Sequence, residues 1–150
     1  MRVIIQRVSK ASVTINDQLK AQIGKGLLIL VGIEEADNEE DISWITGKIA
    51  RLRVFPDENN VMNLDIKSAS GELLVVSQFT LHASTKKGNR PSYIKAARPE
   101  TAIPIYDKFI EMLSEEYSIA VQTGEFGAMM QVELINDGPV TLFIDSKNRE

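Results

Sequence analysis

Leu27-Leu28-Ile29-Leu30-Val31-Gly32-Ile33 is a continuous apolar run of strand length. A strand with one wet face alternates apolar and polar residues, whereas an unbroken run belongs to a strand buried on both faces. The run therefore predicts a central strand with packed material above and below it. On its N-terminal side Gly24-Lys25-Gly26 breaks the chain. Further upstream, residues 2–8 and 12–15 are rich in Val and Ile and read as strands. Asn16-Asp17-Gln18 is a turn signal, and Leu19 to Ile23 resumes a weaker extended pattern.

Downstream the character changes. Glu34, Glu35, Asp37, Glu39, Glu40 and Asp41 put six acids in eight positions. Asp37 or Asn38 can cap a helix, and acids favour the positive end of one. Ile42, Ile45, Ile49 and Leu52 recur at helical spacing, predicting a helix from about Glu39 to Arg53 with the acids as its solvated start. Phe55 to Asn60 reads as a surface loop. Glu72 to Val76 is another apolar strand, running into Ser77-Gln78-Phe79-Thr80-Leu81. Residues 82–98 read as a long loop. Pro99 to Tyr117 carries Ile103, Tyr106, Ile110 and Leu113 at helical spacing, and Pro104 predicts either a kink or the true helix start. Ile119 to Gln122, Met129 to Ile135 and Val140 to Ile144 read as strands, the last two joined by Asn136-Asp137-Gly138-Pro139. About seven strands and two helices without regular alternation predict an α+β fold. Its sheet is expected to be mostly antiparallel and barrel-like, with two main flanking helices, in one domain spanning 1–150.

Composition narrows the chemistry. The 150 residues include no Cys and one His, with 17 basic residues against 21 acidic ones for a net charge of −4. A thiolate nucleophile, a Cys-based zinc site and a multi-histidine metal site within one chain are excluded, so no metal or cofactor is expected. The acidic balance argues against indiscriminate nucleic-acid binding, which phosphate neutralisation drives. No apolar stretch approaches the ~18 residues of a membrane span, so a soluble cytoplasmic protein is expected.

Three segments can carry function. Ser77-Gln78-Phe79-Thr80 sits where a buried strand meets a loop, a common place for a site. On a strand, Gln78 and Thr80 share one face and Ser77 and Phe79 the other. All four cannot address one ligand unless the strand ends or bulges, so main-chain groups must share in recognition. Asn136-Asp137-Gly138-Pro139-Val140-Thr141 combines a permissive Gly with a Pro that allows a cis bond; a hairpin turn is the plain alternative. Lys86, Lys87, Arg90, Lys95 and Arg98 put five basic residues and no acid into the loop 86–98, with Tyr93 as a stacking surface. His82 could complete a Ser–His–acid arrangement with Ser77, but the Gly-x-Ser-x-Gly elbow is absent.

Together, Ser77-Gln78-Phe79-Thr80-Leu81 and Asn136-Asp137-Gly138-Pro139-Val140-Thr141 closely resemble the two signature motifs of the D-aminoacyl-tRNA deacylases. The likeness covers nearly the whole chain, including residues 1–8, Gly26-Leu27-Leu28, Lys87 to Ser92, and Gln122 to Met130. It implies a homodimer with a closed, barrel-like β fold and a site at the subunit interface. The substrate would be the 3′ end of an aminoacylated tRNA, cleaved when the amino acid is D or glycine. A cis Gly138-Pro139 pair from one subunit would enter the other's site and collide with L side chains. Ser77, Gln78, Phe79 and Thr80 would form the opposite wall, with main-chain groups of Phe79 and Thr80 as an oxyanion hole and the substrate's ribose 2′-OH assisting catalysis. Phe126 and Met130 would line the pocket, Arg7 would hold the Gly-Pro element, and Lys86, Lys87 and Arg90 would contact the tRNA. A tRNA-binding homologue without turnover is the alternative.

Overall fold

In the computed structural model, which describes residues 1–150, the spine of the sheet is β1 (Arg2–Ile15). The segments expected at 2–8 and 12–15 are one strand. After a turn in which Asn16 and Asp17 both take positive φ, β2 (Gln18–Ile23) and β3 (Gly26–Gly32) run back along β1 end to end. β2 pairs with its second half, Ala11 opposite Ile23, and β3 with its first half, from Val8 opposite Gly26 to Arg2 opposite Gly32. β4 (Phe55–Pro56) and β5 (Met62–Leu64) form a separate small hairpin that begins in the expected surface loop and ends beyond it, with Phe55 buried. β6 (Glu72–Ser77) lies parallel to β3, and β7 (Val121–Thr123) parallel to β6. β8 (Gln131–Asp145) covers the other edge of β1. There are eight strands, and the sheet is mixed: antiparallel around β1, parallel from β3 through β6 to β7.

The barrel-like sheet buries both of its faces, as the run at 27–33 requires. Leu27, Ile29 and Val31 join Val3, Ile5, Leu73 and Val75 beneath the helices. Leu28 joins Val8, Val13, Ile23, Leu74 and Val76 in a second cluster on the opposite face. Each such Leu, Ile or Val contributes about 1.5–3 kcal/mol by leaving water.

Helix α1 (Glu39–Arg51) stops two residues short of its expected end because Leu52 turns extended. Asn38 caps it, accepting from the Glu40 and Asp41 N–H groups, and Asp41 returns the contact to the Asn38 N–H. The acidic run is more than a solvated helix start. Asp37 is buried and takes the Met1 amino group, which also donates to Ser146 Oγ at 2.9 Å. Asp41 is buried and paired with Lys147 at 2.6 Å. Burial pushes the Asp41 carboxyl up, but hydrogen bonds from Lys147, Ser146 and the Asn38 N–H outweigh it and hold it below the usual range.

Helix α2 (Pro99–Glu111) begins at Pro99 and passes through Pro104. Its first turn is capped from a distance: Glu35 accepts the Arg98 N–H at 2.8 Å and the Thr101 hydroxyl at 2.9 Å. These bonds hold the Glu35 carboxyl below its ordinary range. The buried stripe is Ala102, Tyr106, Phe109 and Leu113, one residue away from the expected Ile103 and Ile110 positions. From Met112 to Glu116 the coil widens to a π turn, so the α-helix ends before the expected Tyr117. No helix is long and apolar enough to cross a membrane.

Candidate active site

β6 ends at Ser77, and the chain tightens at once into a 3₁₀ turn over Phe79–His82. Of the two departures from a regular strand considered above, an end and a bulge, the structure has the end. The Gln78 N–H donates to the Val31 carbonyl at 2.7 Å, which ties the turn to the end of β3. Gln78 Nε2 donates to Thr80 Oγ1 at 2.5 Å and fixes that hydroxyl. At the start of a helical turn the first N–H groups have no acceptor within it, and here these belong to Phe79 and Thr80. Phe79 is more than half exposed, and its ring meets Tyr93 edge-on at 5.0 Å.

Two adjoining hollows share Ser77, Gln78, Phe79 and Gly127. The smaller, about 70 Å³, is closed by Val31, Ile33, Ala97, Ala102 and Phe126. The larger, about 260 Å³, is closed by Val76, Ala128, Met129, Met130 and Val132. Phe126 and Met130 thus stand on either side of the Ser77–Phe79 wall. Phe126 packs edge-on against Tyr106 at 5.8 Å, and the Tyr106 hydroxyl donates to the Val75 carbonyl at 3.0 Å. Burial pushes that hydroxyl well up, so it stays a neutral donor. Ala97, Ala102 and Gly127 were missed by sequence reasoning, since small residues in a loop and on a helix face carry no chemical signature of their own.

The segment 136–141 is not a hairpin turn. Both flanking stretches pair with β1 in one direction, Gln6 opposite Thr141 and Val8 opposite Asn136, leaving Arg7 alone to face residues 137–140. The expected pair of strands is a single strand with a large bulge, a device common beside functional sites. Asn136 closes the mouth of the bulge: its Nδ2 donates to the carbonyls of Arg7 and Val140, each at 2.9 Å. Arg7 is buried and grips the bulge through the Asp137 carbonyl and carboxylate, both at 3.1 Å, while its Nη1 donates to the Val54 carbonyl at 2.6 Å. It is an internal brace and not a surface ion pair. At the tip, Gly138-Pro139 is cis and exposed, and Gly138 has φ +130°. The pair lies three strands across from Ser77 and lines neither hollow of its own chain.

Lys86, Lys87 and Arg90 are all exposed in a loop pinched at its base by paired Ser84–Ser92 backbone hydrogen bonds of 2.8 and 2.9 Å. Its far end is fixed by the Ala97 N–H on the Ile33 carbonyl. The loop is thus anchored beside Phe79 through Tyr93. His82 is buried and neither ring nitrogen has a partner, so it is linked neither to Ser77 nor to an acid. The triad arrangement is not present.

A sheet curled around a buried strand, a tight turn at its parallel end and a cis Gly-Pro bulge define a distinctive class of fold. The family model described as D-Tyr-tRNA(Tyr) deacylase matches residues 4–145. Proteins named D-aminoacyl-tRNA deacylase from Flavobacterium johnsoniae and Bacteroides thetaiotaomicron are 64% and 61% identical to this chain, over all of both chains. The solved structure of a "c-Myc DNA Unwinding Element Binding Protein" superimposes with a TM-score of 0.92 at 38% identity, covering 97% of this chain and 98% of that one. A second, of a "probable eukaryotic D-amino acid tRNA deacylase", shares the fold with a TM-score of 0.83 at 15% identity, over 95% of this chain and 97% of that one. The chain belongs to the D-Tyr-tRNA(Tyr) deacylase family.

Proposed function

We propose that this protein hydrolyses the ester joining a D-amino acid, or glycine, to the terminal ribose of tRNA, releasing the free amino acid and tRNA. The full-length 64% identity to a protein named D-aminoacyl-tRNA deacylase carries this reading. Water adds to the ester carbonyl, and the tetrahedral oxyanion is met by main-chain N–H groups of Phe79 and Thr80. The leaving oxygen departs as a ribose hydroxyl, with the neighbouring 2′-OH assisting. Support for a backbone-led mechanism comes from the turn itself: Thr80 Oγ1 accepts from Gln78 Nε2, an amide that cannot take its proton. The enzyme works as a cytoplasmic homodimer. Gly138-Pro139 lines neither hollow of its own chain, which supports its entry into a partner's site. There it meets the substrate α-carbon and rejects L side chains by collision. Phe126 and Met130 shape the pocket around the substrate, and Arg7 keeps the bulge in place.

The test is incubation of the protein with D-tyrosyl-, glycyl- and L-tyrosyl-tRNA. Loss of the first two esters with survival of the third is expected; survival of the D-ester over many hours would favour a tRNA-binding protein without turnover. Thr80→Ala should retain activity within about tenfold, because it removes no nucleophile. Complete loss with unimpaired tRNA binding would instead make Thr80 the nucleophile.

Lys86, Lys87 and Arg90 contact the phosphates of the acceptor end in this reading. Replacing all three with Ala should raise KM with little effect on kcat. The slope of log KM against log salt should fall by about two, the share of three single-strand phosphate contacts. An unchanged salt slope would remove the loop from the tRNA interface.

A further inference from the structure

The turn that carries Phe79 and Thr80 is attached to the rest of the protein by few polar contacts. Beneath it, Gly32 lets β3 approach so closely that a Cβ there would lie 2.8 Å from Leu81 Cβ and 3.0 Å from the Gln78 carbonyl oxygen. His82 packs into the same place with both ring nitrogens unpartnered, so its side chain holds the turn by shape alone. A single side-chain hydrogen bond reaches the turn from another element: Arg2 Nη1 donates to the Leu81 carbonyl at 3.0 Å. The same guanidinium gives its Nε to Asp145 Oδ2 at 2.8 Å. Sheet register sets this arrangement, because Arg2 stands opposite Gly32 on one side and opposite Asp145 on the other.

We propose that Arg2, oriented by Asp145, is a positioning residue for the reaction. It fixes the Phe79–His82 turn through the Leu81 carbonyl and so holds the Phe79 and Thr80 N–H groups where charge develops. This rests on the reading of that turn as the oxyanion-binding wall. The residue type suits the task. A guanidinium presents donors at fixed angles and can hold a carboxylate and a carbonyl at once, while a lysine ammonium is a single point. A cation at the carbonyl end of a helical turn also meets its partial negative charge. Asp145 is mostly buried beside it, which keeps the pair from being screened as a surface ion pair is.

Steady-state deacylation of D-tyrosyl-tRNA by the full chain separates this role from simple stabilisation. Arg2→Ala should lower kcat about tenfold and leave KM within about twofold, since small misplacement of the catalytic groups acts on the transition state. Arg2→Lys should recover part of the loss, and Asp145→Asn should fall between. Arg149→Ala removes another ion pair, the 2.8 Å contact with Glu40, and touches nothing in the turn. It should keep wild-type kcat whatever it does to the melting temperature. Wild-type kcat in Arg2→Ala would overturn the proposal, as would an equal loss of kcat in Arg149→Ala. Amide hydrogen exchange gives a readout that survives failure of the deacylase reading. In Arg2→Ala the Leu81 and Ala83 amides, which bond to Gln78 and Thr80, should exchange faster while those of β6 do not. Unchanged exchange in the turn would overturn the positioning role even if the wild-type protein hydrolysed no ester.

Discussion

Gly138→Ala is expected to lower hydrolysis of D-tyrosyl-tRNA by about a hundredfold while the protein stays folded. Gly138 sits at φ +130°, a backbone conformation that a residue with a Cβ rarely adopts. The added Cβ would also lie 2.8 Å from Val140 Cγ2, 3.0 Å from Arg7 Nη2 and 3.0 Å from the Val140 nitrogen. The Arg7 and Val140 side chains can give way, but the Val140 nitrogen is backbone. Relief therefore requires the bulge to shift, and Arg7, which brackets it through Asp137, must shift with it. The strain is local and costs about 1–3 kcal/mol, small enough for the domain to survive. Deacylation of the D- and L-esters, with a thermal melt, checks this. Unchanged hydrolysis of the D-ester together with unchanged rejection of the L-ester would take the bulge out of the site.

Gly26→Ala should have the largest effect on stability, about 4 kcal/mol or more, and could prevent folding. Gly26 opens the parallel pairing of β3 with β6, opposite Glu72. A Cβ there would overlap the Glu72 carbonyl oxygen and lie 2.8 and 2.9 Å from its carbonyl carbon and nitrogen. All three are backbone atoms, so no rotamer change offers relief and the strands must separate where both faces of the sheet are buried. Gly24→Ala is the control, with nothing within 4 Å of its added Cβ. It should move stability by no more than about 1 kcal/mol. Urea unfolding of the two variants measures the difference. Equal midpoints would mean that β3 and β6 do not approach so closely.

The parts of the fold written in hydrophobic pattern were legible. The unbroken run at 27–33 required burial on both faces, and the isoleucine spacing at 42, 45 and 49 required a helix. Long-range pairing decided what was not legible. Asn136-Asp137-Gly138-Pro139 has the local chemistry of a turn, and only the shared register with β1 makes it a bulge. Asp37 and Asp41 look like surface acids until the Met1 amino group and Lys147 arrive from distant parts of the chain. At the candidate site, the motif residues from Ser77 to Thr80 stood out, and the period of two left either a strand end or a bulge there, of which the structure has the end. Ala97, Ala102 and Gly127 line the hollow by leaving space, and an absence of side chain leaves no periodic or chemical trace. Arg2 was silent too, because its role depends on which residues stand opposite it.

The long pairing of β1 with β8 also constrains the order in which the protein can be made. β1, β2 and β3 are neighbours in sequence and can close as a local hairpin soon after synthesis. β8 is the last strand, separated from β1 by well over a hundred residues, and such non-local contacts form slowly. Until it docks, β1 presents a fourteen-residue unpaired edge. The intermediate therefore lacks the Arg7 brace on the bulge and is open to strand addition by another chain. Conditions that slow the end of synthesis should cost this protein yield through aggregation before they cost it specific activity.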